Sequence, residues 1–319
     1  MKLNAVFLDY ATVSHDDIDA TPLTRALPGL RFFPTSTPAE TGARIADAEV
    51  VLLNKITMDA ARIAAAPRLK LICVTATGTD NIDLVAARER GIAVCNMRSY
   101  CTASVVQHVF ALLLALTHHL AGYQALLRDG AWRGSPQFCL LDYPVRELAG
   151  KVFGIVGHGE LGSAAASVAA GFGMHVLLAA RPGTEMAADR VALHDLLGRV
   201  DVLSLHCPLT PQTRGLIGAA ELALMKPDAV LINTARGALV DAAALANALR
   251  GHRLGGAGID VLEQEPPVDG NPLLADNIPN LIVTPHVAWA AVEARQRAIE
   301  EMASNITAWQ TGEQRNRVV

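Results

Sequence analysis

Short apolar runs alternate along this chain with stretches in which apolar residues recur every three or four positions. NAVFLD, EVVLLN, LKLICVTA and IAVCN lie in the first hundred residues, and KVFGIV, HVLLAA, DVLSLH, AVLINT, GGAGID and LIVTPH follow from residue 151. Continuous apolar runs of this length predict strands buried on both faces. The segments between them, among them IADA, MDAARIAAA and NIDLVAARERG, read as helices. Strands separated by helices predict parallel sheets, so the fold class is α/β with two similar halves. A long apolar helix is expected near 102–120 and a final helix near 287–310. The first of these is interrupted by Gln107, His108, Thr117, His118 and His119. A membrane span needs roughly 20 mostly apolar residues, so a buried crossover helix is the expectation.

Residues 122–149 break the pattern. Trp132, Phe138 and Tyr143 stand there among prolines and glycines with no period. Large apolar groups on an irregular segment need covering, which predicts an arm packed on a second subunit.

Composition narrows the class without naming a chemistry. The 319 residues suffice for two domains, and 51% hydrophobic residues with few aromatics suit α/β packing and argue against disorder. A net charge of -4 gives no sign of a nucleic-acid surface. Cysteines 73, 95, 101, 139 and 207 show no C-x-x-C and no metal-ligand spacing, and most sit in apolar runs. Buried thiols in a reducing cytosol and no metal site are expected. The N-terminal MKLNAVFLDY lacks a signal-peptide apolar core, which agrees with a cytoplasmic protein.

The first candidate chemistry is the run KVFGIVGHGELG. Gly157, Gly159 and Gly162 follow a strand and open a helix with the spacing G-x-G-x-x-G. The first glycine allows a tight turn, the second lets a pyrophosphate approach the backbone, and the third lets helix and strand pack closely. The helix N-terminus offers N–H groups to phosphates. An acid that binds a ribose 2'-hydroxyl belongs at the end of the next strand, and here Ala180 and Arg181 stand instead. Without the acid a 2'-phosphate is not repelled, and Arg181 is suited to pair with it, which favours NADP(H) over NAD(H). The plain alternative is that Arg181 is a solvated turn residue beside Pro182.

Three later strand ends carry polar residues where open α/β sheets bind ligands. They are NTARGALVD with Arg236, DVLEQEPP with Glu265 and TPHVAW with His286. Each alone has an ordinary structural reading as a surface charge, a turn acid or a loop histidine.

Taken together, VGHGELG, LHCPLTPQTRGLIG, NTARGALVD, DVLEQEPP and TPHVAW, with ATGTDNID upstream, resemble the D-isomer-specific 2-hydroxyacid dehydrogenases, and within them the glycerate dehydrogenase/hydroxypyruvate reductase subgroup. The resemblance runs over nearly the whole chain. It implies two Rossmann-like or flavodoxin-like domains with the active site in the cleft between them. The substrate domain would comprise 1–100 and 288–319, and the dinucleotide domain 101–287, with the arm 122–149 serving a homodimer and the two crossings acting as hinges. It implies hydride transfer between a nicotinamide and a small D-2-hydroxyacid or 2-ketoacid, with Arg236, Glu265 and His286 as the catalytic set. Arg236 would bind the carboxylate and carbonyl, His286 would carry the proton, and Glu265 would orient the imidazole and stabilise its charged form. The substrate loop would be Ala76, Thr77 and Gly78. Cofactor contacts would come from Gly157, His158, Gly159, Glu160, Leu161, Gly162, Arg181, Cys207, Pro208, Thr213, Thr234, Ala235, Asp260 and His286. Asp260 matches the family acid near the carboxamide; Asn96 and Asn233 match family positions without an implied chemical role. Trp289 either walls the substrate pocket or anchors the last helix.

Hydroxypyruvate or glyoxylate reduction with NADPH is the expected activity. The alternatives are an NAD-dependent dehydrogenase of another D-2-hydroxyacid and a dinucleotide-sensing, corepressor-like binding protein. The Glu–His pair argues against formate dehydrogenase chemistry, which needs no proton relay. The chain's length, without a long C-terminal regulatory domain or extended tails, leans away from phosphoglycerate and from a corepressor.

Overall fold

The computed structural model describes residues 3–181 and 187–319, so Pro182 and Gly183 at the end of the glycine-turn stretch lie outside the described residues. The chain divides into two compact units, Met1–Cys101 with Trp289–Val319, and Thr102–Ala288.

In the first unit the strands are β1 (Ala5–Phe7), β2 (Leu30–Phe32), β3 (Val50–Leu53), β4 (Leu71–Val74) and β5 (Ala93–Cys95), alternating with helices α1 (Thr21–Ala26), α2 (Pro38–Ile45), α3 (Ala60–Ala64) and α4 (Leu84–Glu89). They form a parallel five-stranded sheet in the order β2-β1-β3-β4-β5. The period of two divides each inner strand between two cores. Phe7, Leu52, Leu71 and Cys73 join one cluster, and Val6, Val51, Leu53, Ile72 and Val94 join the other. This is why every inner strand is apolar throughout. β2 reads only LRF and lies half-exposed at the sheet edge, so its pattern is too short to have been anticipated. Helix starts are fixed by side chains: Thr37 and Glu40 form a capping box at α2, and Asp83 accepts from the N–H groups of Val85 and Ala86 at α4.

The second unit opens with α5 (Thr102–Thr117) and α6 (Leu120–Arg128). It continues with β6 (Val152–Val156), α7 (Glu160–Gly171), β7 (His175–Leu178), α8 (Leu193–Leu197), β8 (Val202–Leu205), α9 (Ala219–Leu224), β9 (Val230–Asn233), α10 (Ala242–Arg250), β10 (Gly256–Ile259) and β11 (Leu281–Val283). The sheet is parallel, in the order β11-β10-β9-β8-β6-β7. Val106, Val109, Phe110 and Leu113 of α5 pack with Phe153, Ile155, Val202 and Ile232. The apolar length of α5 is thereby explained by a core, and among the described residues no single helix is long and apolar enough to cross a membrane. The expected 102–120 helix ends at Thr117, because His119 adopts a left-handed conformation (φ 48°) and starts α6 in a new direction.

The irregular segment starts later than its composition suggested, since α6 takes up residues to Arg128. Beyond it Trp132 is 51% exposed, Phe138 93% and Leu141 81%. Cys139 is exposed too, unlike the buried Cys73 and Cys95, because it lies on this segment rather than in a strand. The chain returns to the first unit in α11 (Val292–Thr311), whose Ala298, Ile299, Met302 and Ile306 cover the Phe7 side of the first sheet.

Candidate active site

In the second sheet β6 lies between β7 and β8, so the strand order changes direction there and opens a crevice at the carboxyl ends of β6 and β8. The glycine turn sits at that point. Gly157 has φ 96°, and a β-carbon there would stand 2.5 Å from Cys207 N, so only glycine lets the β6 turn meet the chain leaving β8. A β-carbon on Gly162 would stand 2.1 Å from Gly157 O, which ties the start of α7 to the turn. A β-carbon on Gly159 would meet nothing within 4 Å, leaving open space before the first N–H groups of α7. One glycine is thus required by the turn, one by helix–strand contact, and one borders room for a ligand. His158, Gly159 and Glu160 are exposed at this turn and Leu161 is half-buried; Glu160 Oε1 accepts from Thr102 Oγ1.

At the end of β7, Ala180 N donates to Val191 O at 2.8 Å, so the returning chain lies beside the strand end that bears the exposed Arg181. That return also brings Arg190, whose Nη1 is 3.5 Å from Ala179 O. After β8, Thr213 is buried and stitches its loop, donating from Oγ1 to Pro208 O at 2.8 Å and accepting from Thr210 N at 2.8 Å. Burial pushes the Cys207 thiol up and the His206 imidazole down to about 4, so both are neutral there. After β9, Thr234 Oγ1 is buried without a hydrogen-bond partner among the described residues. A buried hydroxyl without a partner, together with open space at Gly159, fits a polar ligand such as a dinucleotide lying over this edge.

The catalytic candidates occupy the next strand ends. Asn233, buried at the end of β9, shapes the Arg236 turn from both sides: its Nδ2 donates to Arg236 O at 2.9 Å and its Oδ1 accepts from Ala235 N at 3.0 Å. Arg236 Nη1 donates to Ala235 O at 2.8 Å. A β-carbon on Gly237 would stand 2.0 Å from the Leu262 carbonyl carbon, so glycine lets the Arg236 turn close onto the segment that leads to Glu265. Glu265, which precedes a cis proline, accepts from Leu262 N at 2.8 Å through Oε1. Its Oε2 is 2.5 Å from His286 Nδ1. An ionised carboxylate only accepts, so Nδ1 carries the hydrogen and Nε2 faces outward from the pair. His286 is 27% and Glu265 33% exposed, an accessible dyad.

Asp260, 1% exposed, belongs to the same group by a different route. Its carboxylate accepts from Thr284 Oγ1 (2.6 Å), Val287 N (2.9 Å) and Ala288 N (2.9 Å), so it anchors the loop that carries His286.

In the first unit, Ala76, Thr77 and Gly78 follow β4. Their carbonyls are engaged from one side: Met97 N donates to Ala76 O at 2.9 Å and Asn96 Nδ2 to Thr77 O at 2.7 Å. The N–H groups of Thr77 and Gly78 have no acceptor among the described residues. Trp289 packs on the core beneath α11, edge-on to Tyr100 at 6.4 Å. Sequence reasoning missed His108, Thr284 and Arg190 and gave Asn96 and Asn233 no role; their partners are remote in sequence or backbone atoms, so no local motif marks them.

Comparison with known proteins agrees with this geometry. The family profile for the NAD-binding domain of D-isomer-specific 2-hydroxyacid dehydrogenases matches residues 110–288. A glycerate dehydrogenase of Methylorubrum extorquens is 43% identical over 99% of both chains. A hydroxypyruvate reductase of Blautia hydrogenotrophica is 38% identical over 83% of both. Among solved structures, a D-lactate dehydrogenase of Aquifex aeolicus complexed with NAD and lactic acid superposes with a TM-score of 0.83 at 28% identity, over 97% of this chain and 96% of that one.

Proposed function

The chain belongs to the D-isomer-specific 2-hydroxyacid dehydrogenases, and from that premise we propose that it reduces hydroxypyruvate or glyoxylate with NADPH. The observation that carries the reading is the His286–Glu265 pair at 2.5 Å, on a nucleotide-binding sheet whose neighbouring turn presents Arg236. When bound, the nicotinamide supplies a hydride to the keto carbon. Arg236 binds the substrate carboxylate and the adjacent carbonyl oxygen through its planar fork. His286 donates the proton from Nε2 to that oxygen, and takes it back when the reaction runs towards the ketoacid. Glu265 holds Nδ1–H, fixing the ring orientation and stabilising the imidazolium before transfer. The N–H groups of Thr77 and Gly78 add to carboxylate binding.

Gly157, Gly159 and Gly162 shape the phosphate site, with His158, Glu160, Leu161, Cys207, Pro208 and Thr213 around it. Thr234 and Ala235 would serve the nicotinamide end, while the buried Asp260, expected there too, holds the His286 loop behind it. The preference for NADPH rests on Ala180 in place of an acid, and on Arg181 and Arg190 gathered at the end of β7. The apolar arm, with Phe138 and Leu141 almost bare, supports a homodimer; a mass in sedimentation that stays monomeric at every concentration contradicts the dimer.

Turnover of hydroxypyruvate and glyoxylate by wild type, His286→Ala and Arg236→Ala tests the reading. His286→Ala should lower kcat by about 10²–10⁴ with dinucleotide binding retained. Arg236→Ala should raise KM and lower kcat. Wild-type kinetics in either variant overturns the site, and dinucleotide binding without turnover of any 2-ketoacid returns the case to a binding protein.

A further inference from the structure

The loop that bears His286 is gripped from behind by α5. Ser104 and His108 lie one turn apart on the same face of that helix. Ser104 Oγ donates to Ala288 O at 2.6 Å, and His108 Nε2 stands 3.0 Å from Thr284 Oγ1 and 3.5 Å from Asp260 Oδ1. The direction of each bond follows from chemistry. Thr284 Oγ1 has one hydrogen, and its 2.6 Å contact with an acceptor-only carboxylate uses it. The hydroxyl oxygen is therefore left to accept, and His108 donates from Nε2–H. Asp260 in turn accepts from Val287 N and Ala288 N, the residues that follow His286. Backbone bonds complete the grip, from Thr284 N to Ile259 O at 2.9 Å and from His286 N to Asp260 O at 2.8 Å.

His286 needs such a grip. Its φ is 56°, in the left-handed region where a β-carbon crowds the following carbonyl oxygen. A conformation of this kind persists where surrounding contacts over-determine it.

We propose that His108 is a positioning residue for His286, acting through Thr284 and Asp260 to hold the left-handed loop that presents the imidazole. The proposal rests on the reading of His286 as proton carrier. His108 makes no contact with the reacting atoms; it supplies the donor that leaves the Thr284 hydroxyl aimed at Asp260. Asp260, nearly all of its surface buried, then keeps its acceptors committed to the loop amides.

The test compares wild type with His108→Leu, Thr284→Val, the double variant and His108→Gln, whose amide still donates. The first readout is amide exchange at Val287 and Ala288 in protein without added cofactor, with the β6 amides as reference. His108→Leu and Thr284→Val should exchange about tenfold faster at the loop alone, and His108→Gln should restore most of the protection. The second is steady-state kinetics. kcat should fall roughly tenfold with dinucleotide KM within about twofold, and the double variant should match the worse single one, since both break the same chain of bonds. Unchanged loop exchange in His108→Leu overturns the proposal. So does faster loop exchange with wild-type kcat, or equal loss of protection at the loop and β6, which marks a packing role. Wild-type turnover, measured first, judges the proposed function separately; if there is none, the exchange readout alone decides the positioning.

Discussion

The two sheets reverse strand order at the same place, and the two crevices are furnished differently. In the first unit β1, between β2 and β3, leads to Asp9, 3% exposed, whose carboxylate accepts from Asn54 N (2.9 Å), Lys55 N (2.6 Å) and Ile56 N (3.1 Å) beyond β3. In the second the corresponding strand β6 leads to Gly157, and a β-carbon on Gly159, just before α7, would meet nothing within 4 Å. The protein's own carboxylate fills one crevice with hydrogen bonds; the other is left open at Gly159. The shared topology makes a crevice, and a few side chains decide whether it is closed by the fold or left for chemistry.

The comparison breaks most severely at Gly162. A methyl group there meets Gly157 O at 2.1 Å, so Gly162→Ala should destabilise the second unit by about 3 kcal/mol and abolish dinucleotide binding. Calorimetry and cofactor titration read both effects, and wild-type values would show that the turn relaxes freely.

Acid should also separate the two crevices. Burial holds His206, beside the second crevice, at about 4 against an ordinary value of 6.5, so the unfolded chain binds more protons than the folded one between those values. Stability is therefore lost as pH falls from about 6.5 to about 4, by up to roughly 3 kcal/mol. Burial raises Asp9 instead, so the folded state takes up its proton more readily and gains stability as pH falls. His206→Gln should flatten the decline of Tm over this interval; parallel curves for variant and wild type would rule His206 out as its source.

Asp9→Ala sharpens the contrast from the other side. It leaves three amides without their acceptor and should cost about 2 kcal/mol, while KM for the dinucleotide stays at the wild-type value. A changed dinucleotide KM would mean that the first crevice is not purely structural. The smallest effect should come from Gly159→Ala, with Tm unchanged because its β-carbon meets nothing, but dinucleotide affinity lowered about tenfold by intrusion on the phosphate site. Unchanged affinity would move the phosphates elsewhere.

These differences were unevenly legible in the sequence. The doubly buried strands announced themselves because period-two packing on both faces leaves no polar position, as in VVLL and LICV. The glycine turn was legible because steric demand fixes residue type at fixed spacing. β2 escaped because an edge strand of LRF has no such demand. Asp9 escaped because its role depends on amides 45 to 47 positions away, and His108 because Thr284 is 176 positions away. Arg236, Glu265 and His286 were each ambiguous alone and became candidates through their joint order with the glycine turn. Their mutual support through Asn233, Gly237 and Asp260 emerged only in three dimensions.

The most direct test of the proposed chemistry is kcat/KM for NADPH and for NADH with hydroxypyruvate saturating, in wild type and in Arg181→Ser. Wild type should turn over with a preference for NADPH of at least about tenfold, or roughly 1.4 kcal/mol, and the preference should fall in the variant. Equal or better turnover with NADH in wild type contradicts this, and would assign the end of β7 to ribose binding by groups other than Arg181.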